Sequence, residues 1–328
     1  MEMTARERVE AALDGREVDR PPVSLWRHFP ERDQTAEDLA ASTLEWQSLL
    51  DLDFIKLMPP GDYATIDWGA RSEYQGAPGG TRETVHYPVQ EPEDWANIQP
   101  VPADAGFNAE VVRACSLVRD ALGPDIPILQ TIFSPLTIAN KMSNGRVIDH
   151  LRTHPEAVHQ ALEVIQKVTM AVTKASLQRG ADGAFFASQC ATSDLVTRDE
   201  YREFGVAYDE PLMAAIGEDG SRFTLVHIHG TNTYFDVLAG YDAHALNWHD
   251  RRVGPAIVDV LSKYPGRAVV AGIDEKGIVT MTPYEAQRQT ESARSDTGDR
   301  RLLIGPGCVI PVAAPLENLK AVVHSARR

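Results

Sequence analysis

The sequence predicts a single α/β domain over residues 1–328, a (β/α)8 TIM barrel with a β-hairpin insertion after its second strand. Two observations predict this fold. About eight short runs rich in β-branched or aromatic residues alternate with helical segments, and eight parallel strands close a barrel. Some runs are continuously apolar, such as Leu302–Ile304, as expected for strands that are buried on both faces.

The elements follow in a regular order along the chain. The predicted strands are Pro22–Trp26, Phe54–Met58, Pro127–Phe133, Gly183–Ser188, Phe223–His229, Ala245–His249, Arg267–Ile273 and Arg301–Ile304. Capping residues and prolines at first helical positions predict helices over residues 3–14, Ala36–Leu50, Ala109–Leu122 and Glu156–Gln178, and two more that start at Thr282-Pro283 and Ala314-Pro315.

One region departs from this alternation. Between Pro59 and Val101 no good helix is predicted. Instead, Trp68–Gln75 and Glu83–Val89 flank a segment containing Gly and Pro, which predicts a hairpin inserted at about residues 60–100. Such an insertion on the catalytic rim of a barrel either covers a site or is a surface decoration, and the sequence leaves both interpretations open.

Charge and cysteine content narrow the functional classes. The chain has 47 acidic and 32 basic residues and a net charge of −15, which disfavours binding to nucleic acid or to anionic membrane surfaces. The three cysteines Cys115, Cys190 and Cys308 are far apart and form no CxxC pair, which favours a reducing compartment. No apolar run approaches the ~20 residues that span a bilayer. We therefore expect a cytoplasmic protein.

Polar and titratable residues are concentrated at the carboxyl ends of the predicted strands, where barrels carry their chemistry. These end segments are Trp26-Arg27-His28, Lys56 to Met58, Phe133-Ser134, Ser188-Gln189-Cys190, His227-Ile228-His229, His249-Asp250, Asp274-Glu275 and Gly307-Cys308. A purely structural barrel would need none of them.

The segment LVHIHG contains the sharpest local signal. Residues two apart on a strand share a face, so His227 and His229 point the same way. Two imidazoles that converge at a barrel mouth can bind a divalent metal such as zinc. The alternative is two ordinary hydrogen-bonded histidines.

A second signal is Cys308, which follows the last strand within the segment GPGCVIP. A cysteine in such a rigid turn can supply a thiolate ligand. It can equally be an inert buried cysteine, and the Gly-rich turn can be a phosphate site.

These motifs belong to a wider resemblance. The opening TARERVEAALDGREVDRPPV, the middle SPLTIANKMSNG, and then ALNWHD, VVAGIDE and GPGCVIPVAAPLENLKAVV together resemble the uroporphyrinogen decarboxylase-like superfamily, and specifically its zinc-dependent corrinoid-linked methyltransferase branch. The resemblance implies zinc bound by His227 and Cys308, with His229 at a position where that branch usually has cysteine. This replacement makes the metal a stronger Lewis acid, or means that the metal is altered or lost.

The resemblance also implies a function and partners. We expect a methyltransferase that moves a methyl group between a corrinoid (methylcobalamin) carried by a partner protein and a small thiol, or a demethylase for a methoxylated or methylated substrate. Two residues are candidates for catalysis: His249 as an acid, base or positioning group, and Glu275, which can accept a hydrogen bond from a metal-bound imidazole. The candidates for substrate binding are Arg27, His28, Met58, Ser188 and Cys190, and Cys190 is also a candidate fourth ligand.

Two alternatives remain at this point. The first is a metal-free decarboxylase or other lyase on the same barrel. The segment Trp26–Arg32 keeps one or two arginines but not the decarboxylase spacing, Asp53 precedes its strand, and Lys141 falls near the place of the family's tyrosine. The second alternative is a non-catalytic barrel that binds a tetrapyrrole. Metal content distinguishes methyl transfer from the lyase.

Overall fold

The computed structural model describes residues 2–328. Its centre is a parallel sheet of seven strands in the order β1-β4-β5-β6-β7-β8-β9, so neighbours in the sheet follow one another along the chain. The strands are β1 Ile55–Lys56, β4 Ile128–Phe133, β5 Gly183–Ser188, β6 Leu225–Ile228, β7 Ala245–Trp248, β8 Ala268–Ile273 and β9 Leu302–Pro306. Every residue of these strands is buried, because helices cover the outer face and side chains fill the inner one.

Helices connect the strands. They are α1 Ala5–Asp14, α2 Ala36–Leu50, α3 Tyr63–Ile66, α4 Gly106–Leu122, α5 Pro135–Met142, α6 Val147–Thr153, α7 Pro155–Gln178, α8 Arg198–Tyr201, α9 Ala207–Glu218, α10 Phe235–Leu238, α11 Ile257–Lys263, α12 Pro283–Thr297 and α13 Leu316–Ala326. Short 3-10 turns span Pro92–Asn97 and Gly277–Val279, and a π-helical turn spans Arg202–Val206. No helix within residues 2–328 has the length and apolarity needed to cross a membrane.

The first predicted strand, Pro22–Trp26, is reduced to a single parallel bridge between Val23 and Ile304. Ser24 donates its N–H to the Ile304 carbonyl, and the Ile304 N–H reaches the Pro22 carbonyl. On the other flank, the Asp53 N–H bonds to the Val23 carbonyl. The pairing cannot extend toward the N-terminus because the two prolines that precede Val23 have no N–H.

An antiparallel pair, β2 (Arg71–Glu73) and β3 (Glu83–His86), follows β1. Both strands are shorter than the runs in the sequence. The connecting loop reaches back toward the carboxyl ends of the parallel strands, where the Pro78 carbonyl accepts the Val312 N–H at 2.9 Å. Gly80 in this loop has φ of +74°, and a Cβ there would lie 2.9 Å from the Cβ of His28. The loop therefore lies directly on the end of the segment that precedes α2.

Candidate metal centre

Four side chains converge at the carboxyl ends of β6, β7 and β9. His227, His229, His249 and Cys308 each offer one ligand atom, and these four atoms all lie within 4.8 Å of one another. The imidazole centroids of His229 and His249 are 4.9 Å apart, and Cys308 Sγ lies 3.6 Å from His229 Nδ1. This group, called the His3Cys cluster below, is the only one of its kind within residues 2–328.

Strand geometry produces this convergence. His227 is in β6 and His229 is two residues later, so both rings point to the inner side of the sheet. The β6–β7 register pairs His227 with Asn247, which places His249 beside His229 one step further on. Gly307 allows the chain after β9 to approach, since a Cβ there would lie 2.8 Å from Glu275 Oε2 and 3.0 Å from His249 Cα. Cys308 is thereby brought against the histidines.

Asn247 fixes the proton of His227. The Asn247 Nδ2 group donates to the carbonyls of Val270 at 2.6 Å and Pro306 at 3.0 Å, so its Oδ1 is an acceptor. That oxygen lies 2.6 Å from His227 Nδ1, which must therefore carry the proton. The Nε2 lone pair is left free, as a metal ligand requires.

Glu275 has the same role toward His249. The Glu275 side chain is almost fully buried, and its Oε1 lies 2.8 Å from His249 Nδ1. The hydrogen bond orients the ring so that Nε2 is the atom available to the cluster. Glu275 Oε2 has no hydrogen-bond partner and lies next to Gly307.

Burial sets the charge state of the cluster. Together with the smaller effect of the neighbouring imidazoles, it lowers the pKa of His227 well below the usual value and that of His229 to about 4. Burial also raises the pKa of the Cys308 thiol to about 11. At neutral pH the protein alone therefore presents neutral rings at His227 and His229 and a thiol at Cys308, and a bound cation must displace the thiol proton.

The donor set fits zinc. Tetrahedral Zn²⁺ bonds nitrogen at about 2.0–2.1 Å and sulfur at about 2.3 Å, which puts neighbouring ligand atoms about 3.3–3.8 Å apart. The four atoms are within 4.8 Å of one another, so small side-chain rotations complete such a site. Neutral imidazole and thiolate are the ligands that zinc prefers, and two of the three rings already have outer hydrogen-bond partners.

Three members of the cluster, His227, His229 and Cys308, form one wall of a cavity of about 260 Å³. Its remaining wall is partly aromatic and partly polar. The lining residues are Trp26, His28, Lys56, Met58, Pro59, Gly61, Gly79, Thr81, Thr131, Phe133, Lys141, Phe185, Ala187, Gln189, His227, His229, Cys308 and Val309. Gly79 and Thr81 belong to the loop between β2 and β3, so that loop borders the cavity.

The structure separates the residues that the sequence suggested for substrate binding. His28 and Met58 line the cavity. Arg27 does not, because its guanidinium lies 4.6 Å from the ring centroid of Trp46 and donates to the Val312 carbonyl. Arg27 instead lines an adjacent cavity of about 270 Å³, which His28 also borders.

Ser188 and Cys190, two of the expected substrate-binding residues, lie outside the cavity, and the structure does not bring them to the His3Cys cluster. On β5 the residues that line the cavity are Phe185 and Ala187, followed by Gln189. Alternation directs Ser188 to the opposite face, where its hydroxyl lies 3.0 Å from the Tyr201 hydroxyl. The Cys190 thiol is fully buried against the Leu136 carbonyl and is not part of the His3Cys cluster.

Three residues of the site were not predicted as such. Asn247 could be found only from the strand register. Lys56 is visible in the sequence as a lone lysine in the apolar run FIKLM, and Lys141 as a lysine that ends the apolar helix PLTIANKM. Both lysines line the cavity, Lys56 buried and Lys141 half-buried, and desolvation lowers the pKa of Lys56 to about 7 and lowers that of Lys141 as well.

Comparison with known proteins identifies the family. The model of the family described as "Uroporphyrinogen decarboxylase (URO-D)" matches residues 4–328. The chain belongs to the uroporphyrinogen decarboxylase family. The membership predicted from the sequence motifs is thereby confirmed, and it covers nearly every residue.

Relatives within this family include methyltransferases. The chain is 23% identical to the methylcobamide:CoM methyltransferase MtaA of Methanosarcina barkeri, over 98% of this chain and 97% of that protein. It is 22% identical to the methylcobamide:CoM methyltransferase MtbA of Methanosarcina acetivorans, over 99% and 98%. A solved structure described as a methyltransferase from Methanosarcina mazei superposes with a TM-score of 0.84 at 21% identity, covering 99% of this chain and 98% of that one. This chain therefore has the same α/β fold as that solved methyltransferase structure.

Proposed function

We propose that this protein is a zinc-dependent methyltransferase that moves a methyl group between a corrinoid held by a partner protein and a small thiol. The observation that carries the proposal is the His3Cys cluster at the wall of a cavity. The corrinoid and the thiol acceptor in this proposal come from the names of the relatives MtaA and MtbA, which this chain matches over nearly their whole length. A bound zinc ion would act as a Lewis acid that lowers the pKa of a substrate thiol beside it.

The four residues of the His3Cys cluster have different positions relative to the cavity, and we assign them different roles. His227, His229 and Cys308 line the cavity, and we assign them as the ligands that face the substrate. His249 does not line the cavity, so it lies behind the other three and completes the cluster from the far side. We assign it as a fourth metal-binding and positioning group.

Asn247 and Glu275 hold protons on the outer nitrogens of two rings. Each leaves one Nε2 lone pair directed at the cluster. In the reaction, the substrate sulfur would lose its proton to solvent and gain the methyl group, and the electron pair of the broken cobalt–carbon bond would stay with the corrinoid.

The fold favours this assignment. We infer that residues 1–328 form one barrel domain, in which the segment around Val23 is the eighth strand, because it bonds to Ile304 on one flank and Asp53 on the other. Closure of the sheet explains how ligands from β6, β7 and the end of β9 meet. The cavity at the carboxyl ends then opens where a corrinoid-carrying partner would dock, with the β2–β3 loop at its border.

Metal analysis of the purified protein tests the proposal. We expect about one zinc per chain, and a large loss of zinc in the His227→Ala variant. The matched control is His244→Ala, since His244 lies at the opposite end of β7 and accepts the Thr224 N–H. That control variant should keep its zinc.

A second experiment measures methyl-transfer activity. The zinc-loaded protein should demethylate free methylcobalamin when a thiol is added, and the visible spectrum of the corrinoid reports the reaction. The proposal is contradicted if the wild-type protein binds no zinc when zinc is supplied in excess, or if His227→Ala retains both zinc and activity. Absence of metal together with release of CO2 from a carboxylated substrate would favour the decarboxylase alternative.

A further inference from the structure

A second cavity, of about 270 Å³, lies beside the metal-binding cavity and is separate from it. None of the four His3Cys residues lines it, and His28 is the one described residue that borders both cavities. The second cavity lies between the segment after the Val23 bridge, helix α2, the loop after β2 and the segment after β9. We call it the Arg27 cleft; its wall includes Arg27, Phe29, Trp46, Leu49 and Tyr74.

Aromatic neighbours hold the Arg27 side chain in this cleft. Its guanidinium carbon lies 4.6 Å from the ring centroid of Trp46 and 5.4 Å from that of Phe29. The indole of Trp46 is itself fixed, because its Nε1 donates to the Leu25 carbonyl at 2.8 Å. Stacking on aromatic rings orients the plane of a guanidinium group and leaves its edges for hydrogen bonds.

One edge of this guanidinium group is unused. Nη1 donates to the Val312 carbonyl at 3.1 Å, but neither the buried Nε nor Nη2 has a hydrogen-bond partner within residues 2–328. Nε and Nη2 lie on the same side of the group, and their parallel N–H bonds fit the two oxygens of a carboxylate. Elsewhere in the chain this edge binds Asp19, through Arg8 Nε at 2.7 Å and Nη2 at 2.8 Å. Arg294 binds Asp299 in the same way, at 3.0 and 2.9 Å.

The positive charge of Arg27 is not balanced by the protein. Burial lowers the pKa of its guanidinium group, and no charged side chain of the described residues opposes that effect. Glu31 also lines the cleft, but it is exposed to solvent. Arg32, the other arginine of the cleft, is already paired, because its two Nη groups bind Glu45 at 2.6 and 2.9 Å. A half-buried cation with a free hydrogen-bonding edge is stabilised by an anion from outside the chain.

We propose that the Arg27 cleft binds a small organic acid, with its carboxylate on the free edge of Arg27 and a flat apolar body against Trp46, Leu49 and Tyr74. The cleft has room for one aromatic ring, since a cavity of about 150 Å³ is enough to hold benzene. Leu49 is 43% exposed, so a ring placed against it removes apolar surface from water. This site is independent of the metal and of the proposed methyl transfer.

Three probes separate the two parts of the proposed ligand. Benzoate has the carboxylate and the ring, benzamide replaces the carboxylate with a neutral group of similar shape, and acetate lacks the ring. Binding to the purified protein is measured by ligand-observed NMR titration. We expect benzoate to bind at least about tenfold more tightly than benzamide, because hydrogen bonds to charged groups contribute more than those between neutral groups. Acetate should also bind at least about tenfold more weakly than benzoate, because it buries no ring.

Matched variants locate the site. Arg27→Lys keeps the positive charge but has no planar edge, so the affinity for benzoate should fall about tenfold. Arg32→Lys is the control, since it makes the same change in the same cleft at a side chain that already binds Glu45, and it should stay within about twofold of the wild type. His227→Ala should bind benzoate like the wild type, because His227 does not line the cleft.

A further variant keeps the test decisive if Arg27→Lys does not fold, which its thermal midpoint shows. Leu49→Ala changes an exposed position, and it should weaken benzoate binding about threefold or more and leave acetate binding unchanged. Equal affinities for benzamide and benzoate overturn the proposal, as does full benzoate affinity in folded Arg27→Lys or in Leu49→Ala. Loss of benzoate binding in His227→Ala also overturns it, because the acid would then occupy the metal-binding cavity.

Discussion

Two polar clusters lie on opposite faces of neighbouring strands. The His3Cys cluster is on the inner face, at the carboxyl ends of β6, β7 and β9. An outer tyrosine cluster, made of Ser188, Tyr201, Asp209 and Tyr241, lies between the sheet and its helices. The outer cluster is fully buried, whereas His229 and Cys308 of the inner cluster are half-buried, and both clusters contain groups with strongly shifted pKa values.

The two clusters differ in where their hydrogen bonds lead. In the outer tyrosine cluster, Tyr201 and Tyr241 donate to the same Asp209 oxygen at 2.8 and 2.9 Å, and the Ser188 hydroxyl joins at Tyr201. These side chains bond to one another, and of Asp209 only Oδ1 has no partner among residues 2–328. In the inner cluster the hydrogen bonds run outward from the rings, to Asn247 and Glu275, and the free atoms face a common centre. The comparison teaches that a shifted pKa alone does not mark a site, whereas unpaired ligand atoms that converge do.

The largest effect is expected at the sulfur ligand. Cys308→Ser replaces the thiolate donor with a hydroxyl that zinc binds poorly, so zinc affinity should fall more than ~100-fold, beyond the range seen on removing an outer partner. A competition titration with a chelator measures it. Cys115→Ser is the control because Cys115 lies in α4, away from the cluster. An unchanged affinity in Cys308→Ser would remove this cysteine from the metal site.

A smaller loss is expected when the orientation of a ligand is disturbed. Asn247→Leu removes the acceptor of the His227 Nδ1–H and leaves the carbonyls of Val270 and Pro306 without their donor. Zinc affinity should fall about 10–100-fold, the usual cost of losing such a partner. The same chelator titration gives the value, and the thermal midpoint checks that the variant is folded. Full affinity in a folded variant would mean that Asn247 has only a structural role.

The outer tyrosine cluster should act on stability and not on metal binding. Asp209→Asn should keep zinc affinity and change the pH dependence of the free energy of unfolding. Burial raises the pKa of Asp209 to about 7, above the unfolded value of about 4. The folded state therefore holds its proton where the unfolded state has lost it, and the wild type loses stability from this group as pH rises from about 4 to about 7.

Urea unfolding of both proteins across this pH range measures the effect. The free energy of unfolding of the wild type, minus that of Asp209→Asn, should fall as pH rises and then level off. A difference that rises with pH would show that the carboxylate is ionised in the folded protein.

The smallest effect is expected for Ser188→Ala. This change removes one hydroxyl from the outer tyrosine cluster and should cost about 1 kcal/mol of stability. Thiol and zinc binding should not change, because the side chain faces away from the cavity. Weakened thiol binding in the Ser188→Ala variant would indicate that Ser188 contacts the substrate, although it does not line the cavity in the structure.

The sequence allowed three members of the His3Cys cluster, His227, His229 and Cys308, to be singled out where the signal was local. The His-x-His spacing on a strand and a cysteine in the turn after the last strand both describe short-range geometry. His249 was predicted as a catalytic group, but its place beside His229 depends on the register of β6 with β7. Register is set by pairing between distant segments, so the sequence pattern did not contain it.

The errors have an equally physical origin. In the run GAFFAS every residue is buried, so the pattern does not indicate which alternate positions face inward, and the sequence did not show that Ser188 points away from the cavity. Seven of the eight predicted runs form strands of the parallel sheet, some of them shorter than predicted. The run at Val23 is reduced to a bridge because prolines precede it. The cavity lysines come from distant segments, which only the fold brings together.

X-ray absorption at the zinc edge, with and without a thiol, tests the central claim most directly. Without thiol, the His3Cys cluster predicts one sulfur neighbour at about 2.3 Å among nitrogen neighbours at about 2.0–2.1 Å. With 2-mercaptoethanesulfonate added, the account predicts a second sulfur neighbour. Zinc with no sulfur neighbour in the thiol-free protein, or a sulfur count that the thiol leaves unchanged, would contradict it.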